Sequence, residues 1–145
     1  MAILLSFDID GTLELGDPPG GVTIEMVRRA HSLGYLVGSC SDRPLSSQRA
    51  MWERIEITPH FIVSKHQLGE VRSQVVADAY YHMGDRDTDF QIAEEHGFGF
   101  WWAQATRPTS AGQRDGGQAI VPFTSIGRPL LTSVDPTPCK LLLIE

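Results

Sequence analysis

Short apolar runs alternate with segments of helical period along most of the chain. The runs suited to β-strands cover residues 3–9, 35–41, 61–64, 79–83 and 99–103. They are continuous rather than alternating, and turn residues bound them, which is typical of strands buried on both faces of a parallel sheet. The pattern therefore predicts five buried parallel strands.

Between these runs, apolar residues recur at helical spacing. Ile24, Val27 and Ala30 mark the first predicted helix, with Thr23 as its candidate N-cap. The other predicted helices cover residues 44–55, 66–77 and 88–96. An alternation of strands and helices predicts a doubly wound α/β fold, with a parallel sheet between two layers of helices.

The pattern changes after residue 103. Five of the nine prolines lie in residues 104–145, with many Thr, Ser and Gly residues and no helical period. Residues 119–123 and 141–144 could form short strands. We therefore expect a core over residues 1–103 and an irregular, Pro/Gly/Ser/Thr-rich extension over residues 104–145, either packed on the core or flexible.

Composition narrows the class of protein. A chain of 145 residues that is 41% hydrophobic and 21% charged fits one soluble globular domain. Its net charge of −6 disfavours a nucleic-acid surface, which needs clustered Lys and Arg. No apolar run approaches the roughly 18 residues of a membrane span, and the features of a secretory signal are missing. Cys40 and Cys139 suggest no disulfide framework, so we expect a cytoplasmic protein.

Acidic residues concentrate at the carboxyl ends of two predicted strands, where ligands bind in open α/β sheets. Asp8 and Asp10 end the first strand, and Asp85 and Asp89 follow the fourth. Neighbouring carboxylates repel each other, so a cation or a proton must relieve the repulsion. Because carboxylate oxygens are ligands that Mg²⁺ prefers, this edge of the sheet is a candidate magnesium site.

Candidate phosphate-binding groups follow the second and third predicted strands. Ser41 ends the second strand just before a predicted helix, where a hydroxyl and backbone N–H groups suit a phosphate oxygen. Lys65 ends the third strand, and its charge could offset that of a phosphate. Structural interpretations remain open beside these, because Ser41 could cap the helix and Lys65 could be a solvated surface lysine.

In this order the four segments resemble the four motifs of the haloacid dehalogenase-like (HAD) phosphohydrolases. The first motif corresponds to Asp8-Ile9-Asp10-Gly11-Thr12, and the fourth to Gly84-Asp85-x-x-x-Asp89. Ser41 resembles the Ser/Thr of the second motif, and Lys65 occupies the place of the third-motif lysine. The resemblance covers roughly residues 3–103.

The resemblance implies a three-layer Rossmann-like fold, with a five-stranded parallel sheet in the order 5-4-1-2-3. It also implies Mg²⁺-dependent hydrolysis of a phosphomonoester. Asp8 would attack phosphorus and form an aspartyl-phosphate. Asp10 would protonate the leaving oxygen and then deprotonate the water that hydrolyses the intermediate.

The same resemblance implies which groups hold the metal and the phosphate. The metal ligands would be the Asp8 and Asp85 carboxylates, the backbone carbonyl of Asp10 and, directly or through water, Asp89. The phosphoryl oxygens would contact three further residues, namely Thr12, Ser41 and Lys65.

HAD-like enzymes often carry a cap domain, but the gaps of residues 12–41 and 41–65 leave no room for one here. Residues 15–21, the flap segment below, occupy the place of the family's small flap. A capless site is open, so the substrate could be a small phosphorylated molecule or a phosphorylated macromolecule. A second copy of the chain could cover the site, and homo-oligomerisation stays open.

A phosphatase has two alternatives from other functional classes. A HAD-like protein without turnover, acting as a phosphate-binding or regulatory module, stays open. A phosphoacceptor receiver domain is disfavoured, because its phosphorylated aspartate follows the third strand, where this chain has Ser64-Lys65. Arg43 could pair with an acid near the site or help to recognise the substrate. The residues that could be structural or contact substrate are His66, His82, Trp101 and Trp102.

Overall fold

Five parallel strands form the centre of the protein in a computed structural model that describes residues 1–103. They are β1 (Ile3–Phe7), β2 (Leu36–Ser41), β3 (Phe61–Ser64), β4 (Ala79–Gly84) and β5 (Gly99–Trp102). Their order across the sheet is β3-β2-β1-β4-β5, which is the predicted order read from the opposite edge. The prediction of a five-stranded parallel α/β fold is confirmed.

Four α-helices connect the strands. They are α1 (Ile24–Ser32), α2 (Leu45–Arg54), α3 (Leu68–Gln74) and α4 (Asp87–Glu95). The predicted cap of α1 is confirmed, because the Thr23 side chain accepts a hydrogen bond from the backbone N–H of Met26 at 3.2 Å. The predicted extension over residues 104–145, with its strands at 119–123 and 141–144, lies outside the described residues.

The helix predicted over residues 66–77 is wrong at both ends. A 3₁₀ turn, Lys65–Gln67, comes first, and the α-helix ends at Gln74. Ser64 stabilises the turn, because its hydroxyl donates to the Gln67 side chain at 2.8 Å. The 3₁₀ turn holds Lys65 directly after β3, so the lysine side chain emerges at the carboxyl end of the sheet.

Apolar side chains form one cluster on each face of the sheet. Leu5 and Phe7 of the central strand β1 lie in the first cluster, and Leu4 lies in the second. Residues of α1 and α2 complete the first cluster, and residues of α3 and α4 complete the second. The described chain thus forms three layers, which explains why the strands are continuously apolar.

Parallel pairing brings four loops to the same edge of the sheet. Phe7 at the end of β1 lies level with Ser39 of β2 and with Met83 of β4. The segments that follow β1, β2, β3 and β4 therefore leave the sheet side by side. Within the described residues, no helix has both the length and the apolar character needed to cross a membrane.

Candidate active site

Three carboxylates meet at the carboxyl edge of the sheet. Asp8 follows β1, Asp85 follows β4, and Asp89 lies in the first turn of α4. One oxygen from each lies within 4.8 Å of the others, and both Asp8 and Asp89 are buried. Buried carboxylates at this spacing could hold a metal ion.

Two glycines give these carboxylates the space that they need. Gly11 has a φ of +75°, and a side chain there would overlap the Asp85 carboxylate. At Gly84, a Cβ atom would overlap the side chain of Asp89. Backbone without side chains therefore lines two sides of the acidic cluster, and Gly11 is also required by its left-handed conformation.

Lys65 lies beside the acidic cluster and contacts two of its three carboxylates. Its Nζ lies 3.1 Å from Asp89 Oδ1, 3.7 Å from Asp8 Oδ2 and 3.4 Å from the exposed Asp42. Burial opposes the charge on Lys65, but the neighbouring carboxylates outweigh burial and raise its pKa. Lys65 is buried, which excludes the solvated surface lysine that the sequence left open.

The ammonium group of Lys65 does not fully offset the cost of burying the Asp8 carboxylate. Burial and the charge of Asp89 raise the pKa of Asp8 well above its ordinary value, even though Lys65 acts in the opposite direction. A dication between the carboxylates would remove this penalty and favour the ionised form of Asp8. The all-oxygen donor set also fits Mg²⁺, so the residues present are compatible with the metal that the sequence predicted.

His82 supports the cluster from within the sheet. Its Nε2 lies 3.3 Å from Asp89 Oδ1, and its Nδ1 lies 2.9 Å from the hydroxyl of Ser6 on β1. Burial opposes ionisation of Asp89, but the contacts with His82 and Lys65 outweigh it and lower the pKa of Asp89. The place of His82 two residues before Gly84 was the only sequence signal of this role.

The carboxylate of Asp10 has a different partner. Arg43 binds it side-on, with Nη2 at 2.6 Å from Oδ1 and Nε at 3.0 Å from Oδ2. The backbone N–H of Asp17, in the flap segment, also donates to Oδ1, at 2.7 Å. The hydrogen bonds from Arg43 hold the pKa of Asp10 below its ordinary value. The metal-ligand role of the Asp10 carbonyl stays a prediction.

Ser41 and Thr12 are both buried close to these loops. The hydroxyl of Ser41 accepts a hydrogen bond from the backbone N–H of Arg43 at 3.1 Å, so it orders the turn after β2. The alternative of Ser41 as the helix N-cap is wrong, because Pro44 holds that position. The hydroxyl of Thr12 has no hydrogen-bond partner among the described residues.

Gln48 of α2 was missed by the sequence analysis. It is buried, and its amide donates to the carbonyls of Arg43 at 3.0 Å and of Val63 at 3.1 Å. Its side-chain carbonyl accepts from the hydroxyl of Ser39 at 2.7 Å. Gln48 thus ties β2, β3 and the Arg43 turn together. The available signal was a glutamine at helical spacing from Met51 and Trp52.

A cleft of about 630 Å³ opens beside Lys65, and His66 and Arg86 are among the residues that line it. Trp101 and Trp102 lie elsewhere, since Trp101 packs against the first apolar cluster and Trp102 stacks on Phe90. A candidate metal site next to a buried ammonium can stabilise charge on a bound anion.

No protein-family model matches the chain, and a search of the curated proteins finds no match.

Proposed function

We propose that the protein is a Mg²⁺-dependent phosphomonoester hydrolase that acts through an aspartyl-phosphate on Asp8. The observation that carries the proposal is the convergence of three carboxylates within 4.8 Å of one another beside Lys65. These are the residues at which the sequence resembles the HAD motifs, and they come from three separate segments of the chain.

The metal would be held by the carboxylates of Asp8, Asp85 and Asp89, with the carbonyl of Asp10 as a further ligand. When bound, Mg²⁺ would neutralise charge on the phosphoryl oxygens and on the carboxylates. Lys65 and the hydroxyl of Ser41 would hold the phosphoryl group in line with Asp8, and Thr12 is a further candidate for this contact.

The reaction would proceed in two steps. In the first, an Asp8 oxygen bonds to phosphorus while the bond from phosphorus to the alcohol oxygen breaks, and Asp10 gives that oxygen a proton. In the second, a water oxygen bonds to phosphorus, the Asp8–phosphorus bond breaks, and Asp10 takes a proton from the water. Most of the acceleration would come from placed charges, as in other phosphoryl transfers.

The cleft beside Lys65 could take the part of the substrate beyond its phosphoryl group, whether the substrate is a small molecule or a macromolecule. Its volume of about 630 Å³ falls in the range of small-molecule sites. We also propose a cytoplasmic location, which agrees with the buried free thiol of Cys40.

The test is phosphate release from a panel of phosphorylated metabolites, with Mg²⁺ or with EDTA. Wild-type protein should turn over at least one compound only with Mg²⁺, and Asp8→Asn should lose the activity, by roughly 10³-fold or more. Asp87→Asn is the matched control, because Asp87 is an exposed acid next to the same loop and should keep the activity.

An acid quench adds a direct measurement of the covalent step. Protein quenched during turnover of a ³²P-labelled substrate should retain label in the wild type and in Asp10→Asn, but not in Asp8→Asn. If folded protein that binds Mg²⁺ releases phosphate from no compound and retains no label, the phosphatase proposal fails and a binding or regulatory module becomes the better hypothesis.

A further inference from the structure

Arg43 holds an acid that the proposed reaction needs. Its guanidinium binds the Asp10 carboxylate through three contacts, at 2.6, 3.0 and 3.1 Å. A guanidinium matches a carboxylate in this side-on geometry, whereas a lysine ammonium offers only a point charge. The contact therefore fixes the orientation of the Asp10 carboxylate as well as its charge.

The backbone of Arg43 is itself held in place. Its N–H donates to the Ser41 hydroxyl at 3.1 Å, and its carbonyl accepts from the buried Gln48 amide at 3.0 Å. The turn after β2 thus presents the guanidinium from a fixed position. Because Gln48 also bonds to Val63 on β3, the position of Arg43 is set by two neighbouring strands.

The same carboxylate holds the flap segment. Asp10 Oδ1 accepts from the backbone N–H of Asp17 at 2.7 Å. The loop around Asp17 is internally bonded, because Gly16 donates to the carbonyl of Leu13 at 2.9 Å and Gly11 donates to the carbonyl of Pro18 at 2.6 Å. Because the loop is held together by its own hydrogen bonds, the hydrogen bond from Asp17 to Asp10 helps to set the position of the whole loop.

The two oxygens of the Asp10 carboxylate are used unequally. Oδ1 receives donors from both Nε and Nη2 of Arg43 and from Asp17, whereas Oδ2 receives only the Nε contact among the described residues. The lone pairs of Oδ1 are therefore occupied. Oδ2 is the oxygen with capacity left for a proton that moves to or from a substrate.

We propose that Arg43 is a positioning residue that orients Asp10 for proton transfer at Oδ2 and, through Asp10, holds the flap segment in place. The inference rests on the proposed function. In the first step the proton that Oδ2 took from water in the preceding turnover moves to the alcohol oxygen as its bond to phosphorus breaks. In the second step Oδ2 takes a proton from the attacking water as the Asp8–phosphorus bond breaks. Both transfers depend strongly on distance and angle.

A double-mutant cycle with Arg43→Gln and Asp10→Asn tests this role. Asp10→Asn should lower kcat by about 10²–10⁴-fold, the usual range for a general acid–base group. Arg43→Gln should lower kcat by at least tenfold with little change in KM, and more for an alkyl phosphate than for an aryl phosphate, whose leaving group needs less protonation. Arg43→Lys should recover only part of the loss. In the Asp10→Asn background, Arg43→Gln should change kcat less than twofold.

The control is Arg49→Gln, which removes an exposed arginine of α2 and should leave kcat unchanged. If Arg43→Gln costs the same factor with Asp10 present or replaced, or raises KM alone, Arg43 contacts the substrate and the positioning role is overturned. An unchanged kcat in Arg43→Gln would overturn it as well.

Amide hydrogen exchange separates this inference from the proposed function. Arg43→Gln should increase exchange at the Asp17 amide, while exchange in α1 stays unchanged. The wild type could release no phosphate while exchange at the Asp17 amide still rises in the variant. That result would support the claim that Arg43 restrains the flap segment, and it would refute both the catalytic role of Arg43 and the proposed function. Unchanged exchange at Asp17 would overturn the hold on the flap segment.

Discussion

At the scale of single residues, the Arg43–Asp10 and Lys65–Asp89 ion pairs differ in burial, and so they should differ in their contribution to stability. The side chains of Arg43 and Asp10 are 26% and 32% exposed, and exposed pairs contribute about 0–1 kcal/mol. Those of Lys65 and Asp89 are 10% and 0% exposed. Breaking a buried pair by removing one partner costs about 3–5 kcal/mol, because the other charge stays buried.

Substitution of each cation should therefore have a different effect on stability. Arg43→Gln is expected to lower the free energy of unfolding by less than about 1 kcal/mol. Lys65→Met is expected to lower it by about 3 kcal/mol or more in EDTA, because the buried Asp89 carboxylate then lacks its ammonium partner. Urea unfolding of both variants measures the difference, and equal losses would refute it.

In the absence of metal, the Asp8 carboxyl group is expected to lower the free energy of unfolding. Its raised pKa means that the unfolded chain ionises first, so stability is lost as pH rises above the ordinary carboxyl range. Asp8→Asn is therefore expected to raise the free energy of unfolding at pH 7 in EDTA by about 1–3 kcal/mol.

Urea unfolding with and without Mg²⁺ checks this expectation for Asp8. Mg²⁺ should stabilise the wild type and should stabilise Asp8→Asn much less, because a ligand that binds only the folded state adds to its stability. A variant that is less stable than the wild type in EDTA would show that repulsion at Asp8 is not the dominant effect.

At the scale of elements, the loop after β1 is shaped by its contact with the loop after β4. Gly11 lies against the Asp85 carboxylate with a φ of +75°, and Gly34 at the end of α1 has a φ of +91° but no atom within 4 Å of an added Cβ. The two glycines share the backbone requirement, and only Gly11 adds a close approach to the site. They form a matched pair for a test.

Gly11→Ala should impair metal binding, and Gly34→Ala should not. Both should lose about 1–2 kcal/mol of stability from the left-handed backbone. Gly11→Ala should lose more, because its methyl group displaces the Asp85 carboxylate. Calorimetric titration with Mg²⁺ should show at least tenfold weaker binding for Gly11→Ala and unchanged binding for Gly34→Ala. Equal Mg²⁺ affinities in the two variants would show that Asp85 is not a ligand of the metal.

At the scale of the whole molecule, the sheet is buried between helices. One titratable group in this core lowers the stability of the protein as the pH rises above 10. Tyr35 precedes β2 and is 6% exposed. Burial, with a smaller effect of Tyr81, raises the pKa of Tyr35 to about 12 from its ordinary 10.0. The unfolded chain therefore loses this proton first as pH rises, and stability falls over the window from pH 10 to about 12.

Tyr35→Phe should remove this part of the alkaline loss. In the wild type, Tyr35 should contribute a decline on the order of 1 kcal/mol per pH unit above pH 10. The variant should show a shallower decline over the same window, and the two proteins should run parallel between pH 7 and 9. Urea unfolding across this range tests the expectation, and identical alkaline slopes would refute it.

The chain by itself determined the alternation of strands and helices, the single parallel sheet and the edge at which the acids emerge, because burial leaves a local period in the sequence. It also located Asp8, Asp85, Asp89 and Lys65 at the ends of strands. A position at the end of a strand shows at which edge of the sheet a residue lies. It does not show which side chains that residue contacts.

Only the tertiary structure decided which charges pair. It separates Asp10 from the other acids and joins it to Arg43, and it brings His82 against Asp89 and Gln48 into the turn after β2. These contacts join residues from different loops, and their distances depend on strand order and side-chain direction. Local periodicity carries no information about such distances, which is why the edge of the sheet was predictable and the pairing on it was not.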